Sequence, residues 1–292
     1  MHEIFATSRI VKFNSRRNRI LAGVLYSNSD NPEKVIIHVH GSYGNFYNNN
    51  FIHVFAERLN KLNIAVLSFN LTCHDGFSEG FFTNGDFEYV GGAVSVFDES
   101  EIDIGGAIDF INSLYKNAEI ILQGHSLGCD RIIQYLVKSE EKYRFSLFSP
   151  CDSYELYKRW LKNEDVKKNI NRISKNYNCG EWLEESEYGI NNNGEEYILP
   201  IKKETFISIV TGAPFYYLNY MLDPPFYIES KCFICLCGND QLQTYSSEEW
   251  FSYLKKHFYN SSEYYFENAD HDLIPCYNEI YEMYQKWILE HL

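Results

Sequence analysis

The residues best able to do chemistry in this sequence fall in a few short stretches. Gly124-His125-Ser126-Leu127-Gly128 sets a serine between glycines two positions to either side. This G-x-S-x-G spacing is that of a turn in which a strand bends sharply into a helix and holds a nucleophile at its tip. Small residues are needed there because neighbouring backbone passes close by. The helix N-terminus then aims free N–H groups at a developing oxyanion. A second stretch, His40-Gly41-Ser42-Tyr43-Gly44, follows a β-like run and is placed to supply another donor. The backbone N–H groups of Ser42 (or Tyr43) and Leu127 are the expected oxyanion hole. The chemistry these stretches would do together is attack on an acyl carbon.

A serine hydroxyl is a poor nucleophile until a base takes its proton. Of nine histidines, His271 in Asn268-Ala269-Asp270-His271-Asp272 lies between the last β-like run and the final helical run. In the order serine, acid, histidine, the base belongs on that loop. The acid that orients it should follow a strand upstream. Asp240, in Gly238-Asn239-Asp240 after the apolar run Cys232 to Cys237, meets that requirement, and Asp152 is the competitor. A carboxylate there fixes the imidazole tautomer and stabilises the imidazolium. Asp270 and Asp272 are too close in sequence to face the ring easily.

These residues need strands and helices in alternation, and the sequence supplies them. Short β-rich runs at 35–39, 64–69, 119–123, 145–148, 231–237 and 263–266 alternate with helical patterns at 51–62, 102–114, 127–137, 246–256 and 276–290. That rhythm predicts an α/β fold with a mainly parallel sheet. Two β-like runs around Arg16-Arg17-Asn18 predict a hairpin at the sheet edge. The rhythm breaks between Cys151 and Glu229, where charged helical patterns, an Asn/Gly/Glu-rich loop and an aromatic stretch occur. Residues 1–150 and 230–292 are therefore expected to form the core, and 151–229 an inserted cap or lid.

Taken in order, the His40-Gly41 loop, the Gly124-to-Gly128 elbow, Gly238-Asn239-Asp240 and Asp270-His271 resemble the α/β-hydrolase superfamily over nearly the whole chain. The resemblance implies an α/β-hydrolase fold, with helices flanking the sheet and a helical cap inserted after the sixth strand. It also implies a Ser126–Asp240–His271 catalytic triad. Asn70-Leu71-Thr72-Cys73-His74-Asp75-Gly76-Phe77-Ser78 looks like a variant of the family's R-G-H-G-x-S loop, lacking the arginine and one glycine, which marks a divergent subfamily. The Ala-Asp-His-Asp ending and the position of the cap are similar to serine esterases and acylaminoacyl-peptidase-like enzymes.

Composition narrows the partners. The formal net charge of −14, from 26 Lys+Arg against 40 Asp+Glu, repels phosphate backbones and argues against nucleic-acid binding. No run of about 18 apolar residues offers a membrane span, and no basic-then-apolar leader is visible. With eight cysteines in a chain of this length the expectation is reduced, buried thiols in the cytoplasm. Cys232-Phe233-Ile234-Cys235 has the C-x-x-C form, but zinc needs about four ligands and nothing is spaced to complete the set. No resident metal or cofactor is expected, and oligomeric state is not readable.

The expected partner is a small-molecule acyl substrate. Tyr43 beside the oxyanion loop, Phe81 after the His74 segment, and Phe215 and Tyr216 in the cap are the candidate pocket walls, since such aromatics line apolar acyl sites. No Lys/Arg cluster points to a phosphorylated substrate; Arg131 and Arg144 read as surface or packing residues. The leading expectation is hydrolysis of a carboxylic ester of a fairly hydrophobic substrate through an acyl-enzyme. A thioesterase, amidase or acyltransferase would use the same machinery. A non-catalytic ligand-binding protein on the same scaffold would commonly have a broken triad, whereas all three members stand here.

Overall fold

The computed structural model describes residues 7–48, 50–139, 141–152, 156, 166–176, 178, 180–184, 187, 200–212 and 226–290. Strands β1 (Ser8–Asn14) and β2 (Ile20–Tyr26) form the expected hairpin, with Asn18 at its turn in the left-handed region (φ 61°) that asparagine tolerates. There follow β3 (Lys34–Val39), α1 (Asn50–Asn60) and β4 (Ile64–Phe69). A small hairpin of β5 (Ser78–Phe81) and β6 (Phe87–Val90) precedes α2 (Glu99–Leu114). Then come β7 (Glu119–His125), α3 (Leu127–Ser139) and β8 (Arg144–Phe148). Between β8 and the next core strand lie α4 (Val166–Asn176), β9 (Trp182–Leu183), β10 (Ile201–Lys202) and α5 (Lys203–Gly212). The chain ends with β11 (Cys232–Cys237), α6 (Ser247–Lys255), β12 (Ser261–Phe266) and α7 (Tyr277–Leu289).

Eight strands make one sheet in the order β1-β2-β4-β3-β7-β8-β11-β12. The pairs β1–β2 and β2–β4 are antiparallel, and every pair from β4 to β12 is parallel. The parallel strands other than the edge strand β12 are buried on both faces, and side-chain alternation sorts them between two cores. Val35, Ile37 and Val39 of β3 face the core shared with α2, α3 and α6, while Ile36 faces the one shared with α1 and α7. The same alternation governs β11. Cys232 belongs to the first core, and Cys235 and Cys237 to the second. Cys232 and Cys235 therefore point to opposite faces of the sheet, and the C-x-x-C spacing is that of a buried strand.

Register places the loops that matter. His38 and Val39 lie opposite Gln123 and Gly124, Gly124 and His125 opposite Leu147 and Phe148, and Cys235 opposite Phe148. The ends of β3, β7, β8 and β11 are thus aligned, and the loops leaving them emerge side by side. Two features differ from the sequence expectation. Helix α2 begins at Glu99 instead of Ile102 because its first buried turn is carried by polar Ser100 and Asp103, which hide the apolar period. The β5–β6 hairpin had no alternating pattern to announce it, since three of the four β6 residues are exposed.

Helices α4 and α5 share a third apolar cluster of Ile170, Ile173, Leu183, Ile201, Phe206, Ile209 and Val210. It closes on Phe97 and on Leu127, the residue after the elbow serine. Among the described residues no helix is long and apolar enough to cross a membrane.

Candidate active site

The elbow owes its shape to what surrounds its glycines. Ser126 sits at φ 54°, a left-handed conformation costly for a residue with a Cβ. It is pinned by its own N–H donating to Phe148 O (3.0 Å) and by Cys129 N–H donating to its carbonyl (2.9 Å). A Cβ on Gly128 would come within 2.1 Å of Val39 O, and one on Gly124 within 2.8 Å of the Cys129 backbone. Any larger residue at either position would push β3 or α3 away and open the turn.

Beside the elbow, the loop after β3 is held from three directions. Arg131, buried on α3, donates from Nη1 to the carbonyls of His40 (2.8 Å) and Gly41 (2.9 Å). His40 donates from Nδ1 to Gly41 O (2.9 Å) and accepts the Leu71 N–H on Nε2 (3.1 Å). That pairing requires the neutral ring, and burial, followed by the nearby Arg131 charge, pushes its pKa well below the usual histidine value. The 70–78 loop completes the support. Asn70 Oδ1 accepts the Phe46 N–H (2.9 Å), and Asp75 accepts from Asn45 Nδ2 (2.6 Å) and Tyr47 Oη (2.7 Å). Among the described residues, no protein acceptor engages the N–H of Ser42 or Leu127.

The histidine and its carboxylate come from the other side. His271 Nδ1 donates to Asp240 Oδ2 at 2.8 Å, which leaves Nε2 with its lone pair. The Asp240 side chain is 3% exposed, and its Oδ1 accepts the Leu242 N–H (2.9 Å). Gly238 lets the two loops meet, since a Cβ there would lie 2.3 Å from Glu267 O. The His271 loop is closed by Asp270, whose Oδ1 accepts the N–H groups of Ile274 (2.7 Å) and Asp272 (3.0 Å). The His271 carbonyl is gripped twice, by His125 Nε2–H (2.8 Å) and by Ser149 Oγ–H (2.9 Å). Burial, then the proximity of His271, lowers His125 to about 4, so it acts as a neutral strut.

Cys151 completes the neighbourhood. Its sulfur, a carboxylate oxygen of Asp240 and a ring nitrogen of His271 all lie within 4.8 Å of one another. Burial, then the Asp240 charge, pushes the thiol well above the ordinary cysteine range, while the adjacent Ser126 hydroxyl pulls the other way. A thiol held protonated is a weak nucleophile. No hydrogen bond joins Ser126 Oγ to His271 among the described residues. Such contacts commonly close only when substrate arrives.

The cleft has a volume of about 250 Å³ and is lined by Gly41, Ser42, Gly44, Asn45, Asn48, His125, Ser126, His271, Asp272, Ile274 and Tyr277. Of the expected site residues, Ser42, Ser126 and His271 line it, Asp240 stands behind His271, and Leu127 lies under the third apolar cluster. Tyr43 does not line it; its ring packs where a Cβ on Gly92 would come within 2.6 Å. Phe81 is placed in a separate cavity, because the β5–β6 hairpin carries it away from the sheet end. Phe215 and Tyr216 lie outside the described residues. Arg131, read from sequence as surface or packing, is a buried clamp on the His40–Gly41 loop. A buried arginine on the helix after the elbow serine was the available signal, but burial is not readable from one residue. Arg144 does pack, and its guanidinium caps α7 through the carbonyls of Trp287 and Ile288.

No protein-family model matches the sequence, and no curated protein sequence matches it. Solved structures do. The Pyrococcus furiosus esterase Pf2001 superposes with a TM-score of 0.58 at 17% identity, over 97% of this chain and 90% of that one. Est1E from Butyrivibrio proteoclasticus gives 0.66 at 15% identity, over 96% and 97%. DcsB, solved in complex with its substrate analogue, gives 0.66 at 13% identity, over 98% and 100%. With the sheet order above, the chain has an α/β-hydrolase fold.

Proposed function

We propose that the protein is a serine hydrolase that cleaves a carboxylic ester of a small, uncharged, fairly hydrophobic substrate through an acyl-enzyme. The observation that carries this reading is the pairing of Asp240 with His271 Nδ1 at 2.8 Å, in a cleft shared with a serine held at φ 54°. In the proposed reaction Ser126 Oγ attacks the carbonyl carbon as His271 Nε2 takes its proton. The developing oxyanion rests on the N–H groups of Ser42 and Leu127. Each such donor contributes about 2.7–4 kcal/mol of transition-state stabilisation. The imidazolium, steadied by Asp240, gives the proton to the leaving alcohol. Water, activated by the same nitrogen, then releases the acid.

The cleft bears on the substrate's charge and size. Among the described residues that line it there is no lysine or arginine, and the exposed Asp272 would repel an anionic acyl group. Its volume of about 250 Å³ falls below the roughly 300–1,000 Å³ of drug-sized ligand sites. A short acyl chain or a single ring fits that space. Residues 151–229 belong to the same proposal as a cap over the cleft.

The test is a p-nitrophenyl ester series from acetate to decanoate, run beside matched thioester and anilide substrates. Highest kcat/KM at two to six carbons, with esters ahead of anilides, is expected. Equal rates across all chain lengths would contradict the small pocket, and faster anilide or thioester turnover would overturn the ester assignment.

A further inference from the structure

The triad has a neighbour that acyl transfer does not use. Cys151 follows the end of β8 at 4% exposure, and it meets Asp240 and His271 on the side of the elbow. Their three donor atoms, one sulfur, one carboxylate oxygen and one ring nitrogen, lie within 4.8 Å of one another. In a tetrahedral zinc site, with sulfur at about 2.3 Å and nitrogen or oxygen near 2.0 Å, ligand atoms are separated by roughly 3.3–3.6 Å. At no more than 4.8 Å apart, the atoms here exceed that spacing by at most about 1.2–1.5 Å. Two of the three residues are buried, so the set is fixed by the fold and is not a chance grouping of surface acids.

We propose that Cys151, Asp240 and a ring nitrogen of His271 bind a Zn²⁺ ion, and that the bound ion inhibits the enzyme. The inhibition rests on the hydrolase reading above; the binding does not. On binding, Zn²⁺ takes the sulfur lone pair and the thiol proton leaves to solvent. The imidazole contributes a nitrogen lone pair and Asp240 an oxygen, and no electron is transferred. Three protein ligands leave the fourth position for water or for the Ser126 hydroxyl beside the thiol. The ion reaches the set through the cleft, where His271 is the exposed member at 19% of its side chain. With His271 and Asp240 committed to the metal, no base remains for Ser126. A thiolate–imidazole–carboxylate set favours zinc and cadmium over the hard cations magnesium and calcium.

The experiment measures zinc bound per chain, by competition with a chromogenic chelator, for wild type, Ser126→Ala and Cys151→Ala. Thermal unfolding checks that each variant is folded. Wild type and Ser126→Ala should bind one more Zn²⁺ than Cys151→Ala. Co²⁺ should give a thiolate charge-transfer band in the first two that is missing in the third. In turnover assays, micromolar Zn²⁺ should lower the wild-type rate at least tenfold and EDTA should restore it, with magnesium and calcium inert at the same concentration. Each variant is compared with its own zinc-free rate, and Cys151→Ala should need at least ten times more zinc for the same relative loss. Equal zinc stoichiometry in wild type and Cys151→Ala, or a Co²⁺ band that survives the substitution, overturns the site. Should Cys151→Ala fail to fold, the same readings are taken on Cys151→Ser, whose hydroxyl cannot give the band. Absence of any zinc-free turnover would count against the hydrolase reading alone, because the binding arms do not need activity.

Discussion

Two cavities among the described residues share no lining residue, and the larger of the two is not where the proposed chemistry is assembled. The cavity under the β5–β6 hairpin measures about 570 Å³ and holds Arg19, Thr72, His74 and Phe81. Its arginine is paired: Arg19 bonds Thr72 and forms ion pairs with Glu88 and Glu99. The cleft at Ser126 is less than half that size, yet the costly backbone lies around it. Of the described non-glycine residues with positive φ, three are asparagine or aspartate, types that tolerate it. The other four, Tyr43, Ser126, Ser149 and Leu273, all sit on loops around the proposed triad. Strain held in place by dense hydrogen bonding marks a working site better than volume does.

The sharpest way to break this contrast is Asp240→Asn. It should cut kcat by on the order of 10⁴-fold, because an amide holds the wrong imidazole tautomer, with the fold intact by circular dichroism. A loss below tenfold would remove Asp240 from the proposed triad. Next in size is Arg131→Met, which keeps the volume but frees the His40 and Gly41 carbonyls. A fall in kcat of roughly 10–100-fold at nearly constant KM is expected, since a loosened oxyanion loop weakens the transition state more than the ground state. A rise in KM at constant kcat would show that the clamp serves substrate binding instead.

A smaller effect separates the two regions by pH. His38, beneath the cleft, is lowered to about 3, chiefly by burial and next by His125, and is therefore neutral in the folded state. An unfolded histidine titrates near 6.5, so below that pH the unfolded chain binds a proton that the native chain refuses. Stability should be unaffected above about pH 6.5 and should fall as pH drops from there towards 3. The slope is about 1.4 kcal/mol per pH unit for one such imidazole. Urea melts at pH 7 and pH 5 on wild type and His38→Gln measure it, and an unchanged slope in the variant would contradict the assignment. The smallest effect belongs to the other cavity: Phe81→Ala should leave kcat/KM within about twofold. A tenfold drop would mean that the hairpin takes part in substrate binding after all.

Much of this was legible before any coordinates. Continuous apolar runs such as Val35–Val39 and Cys232–Cys237 specified the central parallel strands, because both faces of those strands are buried. Glycines at 41, 124, 128 and 238 pointed to the loops because close backbone approach leaves a mark on residue type. What stayed hidden shares a physical cause. Arg131, Ser149 and Cys151 act through contacts distant in sequence, and nothing in a lone arginine, serine or cysteine announces its neighbours. Phe81 was misplaced for the same reason: an aromatic near a motif in sequence was turned away by a hairpin with no alternating pattern.

The central claim is that Ser126 is the nucleophile, activated by His271. Intact mass after incubation with a fluorophosphonate tests it directly, on wild type, Ser126→Ala and His271→Ala. The account requires one adduct per wild-type chain, mapped to the Gly124–Gly128 peptide, none on Ser126→Ala, and labelling slowed by at least 10³-fold in His271→Ala. An adduct that persists in Ser126→Ala, or a wild type that takes none, would contradict it.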